Sequence, residues 1–304
     1  MHNFSLSYLP INMLFILIIL FPINLYANSE NELLEKYDAI EAQLLSNPYG
    51  TPLYIESSNP ENKIQGDVFG VLNYPYNLIS DQLSKAENWC KIIPLHFNIK
   101  ACTYYLEKEQ SYLNLYTGRK HYEVAEDVFK LTYRFNVKSK THNYLHLSFN
   151  AADGPFDTKN YKITFSAAPL EDRKTFIHFK YEYQYGFWAN LATSTYLSTL
   201  GRNKTGFTII QEDDKGKPIY IKGIRGIIER NAMRYFIAIK SYLSTLTIPI
   251  NQRFIKKTTQ WFDLTEKHYK QLHEMTKKEY IESKIKEQQD QLHLQKELDN
   301  LKSQ

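Results

Sequence analysis

GIIERNAMRYFIAIKSYLSTL, residues 226–246, holds the strongest periodic signal in the chain. At about 100° per residue, Ile228, Ala232, Tyr235, Phe236, Ile239, Tyr242, Leu243 and Leu246 fall within one stripe about 120° wide. Arg230, Arg234 and Ser241 take the opposite side, and Pro249 stops the helix from continuing. A helix with so broad an apolar face needs a second layer to cover it. Ile237 points outward, which leaves room for something else to pack over it.

The segments upstream supply that layer. Leu113 and Leu115 flank Asn114. Phe129, Leu131, Tyr133, Phe135 and Val137 alternate with polar residues, as do Leu145, Leu147 and Phe149. Ile163, Phe165 and Ala167 repeat the pattern, and so do Ile177, Phe179, Tyr181 and Tyr183. A period of two marks strands with one buried and one wet face. Asp153-Gly154-Pro155, Lys159-Asn160 and Glu171-Asp172 read as short turns, so the spacing predicts an antiparallel meander.

Further out, Leu33, Tyr37, Ile40 and Leu44 predict an amphipathic helix over 31–46, followed by a Pro/Asn/Ser-rich linker to about residue 62. Gly66–Leu72 reads as a strand, and Pro75 opens a helix. Phe187–Leu200 reads as an inserted helix, and Phe207–Ile210 with Ile219–Ile221 as a hairpin. Residues 250–304, rich in Lys, Glu and Gln, read as a solvated helical tail, weakly held. Gln288 and Gln295 interrupt its thin apolar seam.

The chain of 304 residues exceeds one minimal domain, but address and appendages absorb the excess. Met13–Phe21 is an unbroken apolar run followed by Leu25-Tyr26-Ala27, which predicts a secretory signal peptide over 1–27, cut after Ala27. The expected divisions are therefore an N-terminal helix and linker over 28–63, a core over 64–249 and the tail. No stable membrane span is expected after cleavage, and the expected location is periplasmic or secreted. Cys90 and Cys102, the two cysteines, most simply form a disulfide in such a compartment; a Cys90 nucleophile activated by His96 is the sharper alternative. A net charge of +4 without a basic stripe argues against a nucleic-acid partner.

GDVFGVLNYPYNLISDQLSKAENWCKIIP (66–94) resembles the first strand and helix pair of the START-like (SRPBCC, Bet v 1-like) helix-grip fold. RGIIERNAMRYFIAIKSYL (225–243) resembles its closing helix. LYTGRK (115–120), GPFDTKNY (154–161), YLSTLGRNKTGFT (196–208) and GIRGIIERNAMRY (223–235) are similar to an uncharacterised family of exported proteobacterial proteins. The helix-grip resemblance implies an α+β fold with a hydrophobic cavity between sheet and closing helix. In such a cavity, members carry lipids, sterols or polyketides, or act as cyclases. The 187–222 insertion is a candidate lid over the cavity, or its filling.

The residues show no G-x-S-x-G, P-loop or dinucleotide motif, and His273-Glu274 lacks the second His of a zincin. His146 and His178 would approach a metal-binding pair only if their strands were neighbours. Neither a cofactor nor a metal is expected. The expected cavity wall is Tyr133, Phe135, Leu147, Phe165, Tyr181 and Tyr183 on the sheet, with Tyr235 and Ile239 on the helix. Glu229 and Asn231 sit at the margins of the stripe, placed either to hold a ligand's polar head or to make an internal hydrogen bond. The expected function is binding of a hydrophobic or amphipathic, lipid-like small molecule. The alternatives are an enzyme in the same cavity, or a ligand-free protein docking on an envelope partner through 250–304.

Overall fold

The computed structural model of the chain describes residues 25–186 and 204–302. The apolar run 13–21 and the inserted helix expected over 187–200 lie outside the described residues. Eight strands form one sheet: β1 (Leu53–Ser58), β2 (Lys63–Leu72), β3 (Ile99–Glu107), β4 (Gln110–Thr117), β5 (Phe129–Lys140), β6 (Leu145–Asp153), β7 (Thr158–Pro169) and β8 (Thr175–Tyr185). Their order is β1-β2-β8-β7-β6-β5-β4-β3, and every pairing is antiparallel. The alternations over 129–137, 145–149, 163–167 and 177–183 all lie within these strands. β1 occupies what reads as linker, and β3 carries Cys102. Lys159-Asn160 forms no turn. It lies inside β7, beside a register shift between Lys159 and Lys162.

One face of the sheet is gripped by α4 (Gly223–Leu243), with α2 (Tyr76–Leu83) and α3 (Ala86–Ile92) beside it. On the other face, α1 (Leu25–Leu45) buries Leu33, Ile40 and Leu44 against Phe69, Tyr144, Ala168 and Phe176. Those sheet residues stand in the opposite phase to the main core, which is why two layers of helices can cover one sheet. The fold is α+β, an antiparallel sheet gripping a long helix, and the hairpin β9 (Ile209–Glu212) and β10 (Pro218–Tyr220) forms where expected.

α4 crosses β2 where the strand has lost its side chains. A Cβ on Gly66 would lie 3.1 Å from Ile228 Cγ1, and one on Gly70 only 2.6 Å from Phe236 Cε2. Gly70→Ala therefore wedges the helix off the sheet. The expected loss is about 1–3 kcal/mol, as for other overpacked cores, and Phe236→Leu should restore part of it. Urea denaturation of the single and double variants measures both; a Gly70→Ala protein as stable as the parent would contradict the close approach.

The helix is buried on every side, unlike the one-faced stripe of the sequence reading. Glu229 and Ser241 are wholly inaccessible, and Arg230 and Arg234 nearly so. The cover comes from the tail, which packs as α5 (Ile250–Glu266), α6 (Tyr269–Leu272) and α7 (Lys277–Lys302). Trp261, Phe262, Leu272, Met275 and Tyr280 join the main core, and Trp261 Nε1 donates to Arg234 O at 3.1 Å. Ile237 is buried in the same core. The weakly held tail of the sequence reading is corrected: those five tail residues bury in the main core together with α4.

Gln295, one of the two glutamines that break the tail's seam, and Gln291 bond to the sheet edge. Gln291 accepts from Cys102 N–H at 2.9 Å and donates to Cys90 O at 3.1 Å. Gln295 accepts from Tyr104 N–H at 2.9 Å and donates to Tyr104 O at 3.0 Å. Four helical residues rise about 6 Å and two strand residues about 6.6 Å, so the two repeats stay in step. α7 thus blunts the β3 edge, which would otherwise present unpaired backbone groups. Cys90 and Cys102 are disulfide-bonded beneath it.

Candidate functional site

The helix–sheet interface divides into a filled half and a phenolic half. In the first, Trp89 of α3 stands edge-on to Phe149 at 4.8 Å and to Phe165 at 5.9 Å, and Phe135 packs on Phe149 at 4.9 Å. Leu147 and Ile239 are wholly buried in the same core. Phe135, Leu147, Phe165 and Ile239, expected to line a cavity, are brought together here as packed core.

In the other half, five tyrosines converge. Tyr133 comes from β5, Tyr161 from β7, Tyr181 and Tyr183 from β8, and Tyr235 from α4. Ring centroids are 5.0 Å apart for Tyr161–Tyr183, 5.7 Å for Tyr181–Tyr183 and 6.0 Å for Tyr181–Tyr235. Tyr133 and Tyr161 stand edge-on at 6.4 Å. Small residues sit between them: Ala151 pairs with Tyr161 across β6–β7, and Gly66 pairs with Tyr181 across β2–β8. Tyr181, Tyr183 and Tyr235 remain half-buried rather than sealed.

The hydroxyls set the chemistry. Tyr161 donates to Thr158 Oγ1 at 2.7 Å. Those of Tyr133, Tyr181, Tyr183 and Tyr235 make no hydrogen bond among the described residues. Burial, and then the neighbouring phenols, push the Tyr133 and Tyr181 hydroxyls well above their usual range; burial does the same to Tyr183 and Tyr235. All stay protonated near neutrality and are available to donate. None of the four hydroxyls is a buried atom left without a partner, so they reach solvent and their donors are open to water or to a ligand.

His96 borders the niche, stacked on Tyr235 at 5.1 Å. Its Nδ1 accepts from Asn98 N–H at 3.1 Å, which places the proton on Nε2, 3.4 Å from Asn231 Oδ1. Burial, followed by the Arg234 and Lys284 charges, holds it neutral. Asn231 also accepts from Arg234 at 3.4 Å. These are internal hydrogen bonds, one of the two roles expected of it, and they orient His96 and Arg234.

Glu229 is likewise engaged elsewhere. Its carboxylate accepts from Phe207 N–H at 2.6 Å, Thr208 N–H at 2.9 Å, Thr208 Oγ1 at 2.7 Å and Ser57 Oγ at 2.5 Å. It staples the segment leading into the hairpin to the helix and to β1, which is the internal hydrogen-bonding role. Arg230 donates to Thr205 O at 3.1 Å, and Arg234 pairs with Glu274 of the tail at 3.0 Å. The Cys90–Cys102 disulfide leaves no thiol for a Cys90–His96 dyad.

β7 separates His146 from His178, so they are not strand neighbours. His146 Nδ1 lies 2.8 Å from Ser166 Oγ, and His178 pairs with Asp67 at 2.7 Å. Among the described residues no cluster of metal-ligating side chains forms. Tyr161 is the member of the niche that the sequence reading left out. The signal was present: it lies two residues before Ile163, in phase with Ile163, Phe165 and Ala167.

No family model and no curated protein matches the chain. Similar solved structures include a protein from Thermus thermophilus, 10% identical, covering 60% of this chain and 99% of that one with a TM-score of 0.39. Human StAR-related lipid transfer protein 5 is 10% identical over 57% of this chain and 88% of its own, with a TM-score of 0.33. The Zhui aromatase/cyclase of a Streptomyces species is 10% identical over 68% and 94%, with a TM-score of 0.31. The helix-grip architecture stands on the strand order and the gripped helix of this chain. Among the described residues no helix is long and apolar enough to cross a membrane.

Proposed function

We propose that the protein binds a hydrophobic or amphipathic small molecule carrying hydrogen-bond acceptors in the tyrosine niche between sheet and α4. One observation carries this reading: four protonated phenol hydroxyls, on Tyr133, Tyr181, Tyr183 and Tyr235, converge there with no hydrogen-bond partner among the described residues. Ring faces supply apolar contact, and the hydroxyls fix the orientation of a carbonyl or ether oxygen. The reading includes export: the 1–27 signal would deliver the chain to an oxidising compartment, with which the disulfide accords. It also includes kinship with the exported START-like family named from the sequence.

Native mass spectrometry of protein from its own host should find a lipid-like adduct, and the delipidated protein should take one up from a lipid panel. Tyr181→Phe and Tyr235→Phe remove a donor without changing shape. Each should weaken uptake by about 1 kcal/mol, roughly fivefold. Protein recovered repeatedly without adduct, together with no uptake from the panel, would sink the proposal.

A further inference from the structure

A separate cleft of about 690 Å³ opens between α3, the end of α4, α5 and α7, and it shares no lining residue with the tyrosine niche. Lys85, Lys91, Arg253 and Lys257 line it against one acid, Glu87. No carboxylate pairs with any of the four cations among the described residues. Lys91 donates to Asn88 Oδ1 at 2.8 Å, Lys257 to Lys91 O at 2.6 Å, and Arg253 to Ile248 O and Leu246 O, each at 2.7 Å. Lys257 is the informative member. It is only 8% exposed, yet its ammonium meets just one carbonyl and the face of Phe254 at 5.9 Å, with no carboxylate beside it.

A buried ammonium without a counter-charge is costly, and an anion entering the cleft would supply one. The remaining wall mixes polar side chains, among them Gln82, Asn88, Thr245 and Gln288, with an apolar strip of Phe254, Tyr242, Ile250 and Leu292. Ile250 and Leu292 are 81% and 62% exposed, so they offer a landing for an alkyl chain.

We propose that this cleft is a second binding site, which takes a long-chain carboxylate with its head at Lys257 and Lys91 and its tail along Phe254, Ile250 and Leu292. Lys85, Arg253 and Glu87 also face the head position, and Lys100, Lys284 and Glu287 lie behind Lys257 where the cleft narrows. Burial, then the Lys91 charge, lowers the Lys257 ammonium to about 7. A bound carboxylate draws a proton onto it, so binding weakens as pH rises above about 7.

Calorimetric titration of the intact protein with dodecanoate and with dodecanol tests the site. Dodecanoate should saturate it near neutral pH, and dodecanol should bind about tenfold more weakly or worse. Lys257→Met, a change of similar volume that removes the buried charge, should lower dodecanoate affinity about tenfold and leave dodecanol unchanged. Lys91→Glu, on an exposed side chain, should lower it as well and does not depend on core packing. Equal affinities for acid and alcohol, no saturable binding, or dodecanoate affinity unmoved by both substitutions would overturn the proposal. If Tyr181→Phe and Tyr235→Phe weaken dodecanoate while the lysine variants do not, the acid occupies the niche. The cleft proposal then fails while the niche reading stands.

Discussion

Truncation after Ile248 is expected to abolish the folded state. The loss removes Trp261, Phe262, Leu272, Met275 and Tyr280 from the main core. It strips Arg234 of Glu274 and Lys100 of Glu287, leaving charged groups that were built to be covered. It also uncovers the β3 edge, whose Cys102 and Tyr104 amides bond to Gln291 and Gln295. The truncated chain should be insoluble or lack a cooperative thermal transition. Within the full chain, Trp261→Ala alone should lose about 3–5 kcal/mol, the usual range for deleting a buried large aromatic. A truncated protein that melts at the parent's temperature would show the tail to be an appendage after all.

Glu287→Leu should be almost as damaging as Trp261→Ala, for an electrostatic reason. Glu287 lies between two buried ammoniums, 3.0 Å from Lys100 and 2.6 Å from Lys284. Lys284 also donates to His96 O and Ile99 O, and Lys100 to Phe97 O and His121 O. Removing the shared carboxylate leaves two buried cations facing carbonyls only, a loss of about 3–5 kcal/mol by analogy with other broken buried pairs.

The pH profile separates this cause from simple packing loss. Burial lowers Lys284 to about 8 against the opposing pull of Glu287. A lysine whose pKa is lower in the folded state is penalised at every pH below that value. The penalty fades as pH rises toward the unfolded value of about 10.4. In the parent, this contribution recovers between about 8 and 10.4. Without Glu287 the folded pKa drops further, so the variant's deficit below pH about 8 should exceed its deficit near pH 10. Urea midpoints across that range give the answer; a deficit independent of pH would point to packing.

Much of the sheet was legible because β5 to β8 alternate apolar with polar side chains, which is what a period of two reports, even where polar members such as Ser148, Thr164 and Ser166 are themselves buried. β3 was not legible, and the cause is physical. From Ile99 to Thr103 both of its faces are buried, so Lys100, Ala101 and Cys102 are as inaccessible as their neighbours and no alternation survives. β1 was hidden among Pro, Ser and Asn residues that suit a linker equally well. At the niche, Tyr133, Tyr181, Tyr183 and Tyr235 could be found by phase. Phe135, Leu147 and Phe165 share that phase but belong to the packed half, where Trp89 fills the space against Phe149 and Phe165 and comes from a helix no strand pattern can place.

By itself, the sequence determined the alternating strands, the gripping helix over 226–246, the hairpin and the cysteine pair. Each depends on the period or identity of residues close together in the chain. Tertiary structure alone decided which aromatics pack solid and which stand around a niche, and what Glu229, Gln291 and Lys257 do. Those outcomes depend on partners between 21 and 201 positions away in the chain, as from Glu229 to Thr208 or Gln291 to Cys90. A carboxylate at the edge of an apolar stripe has the same local pattern whether it meets a ligand or two backbone amides. Only the arrival of the distant segment distinguishes them.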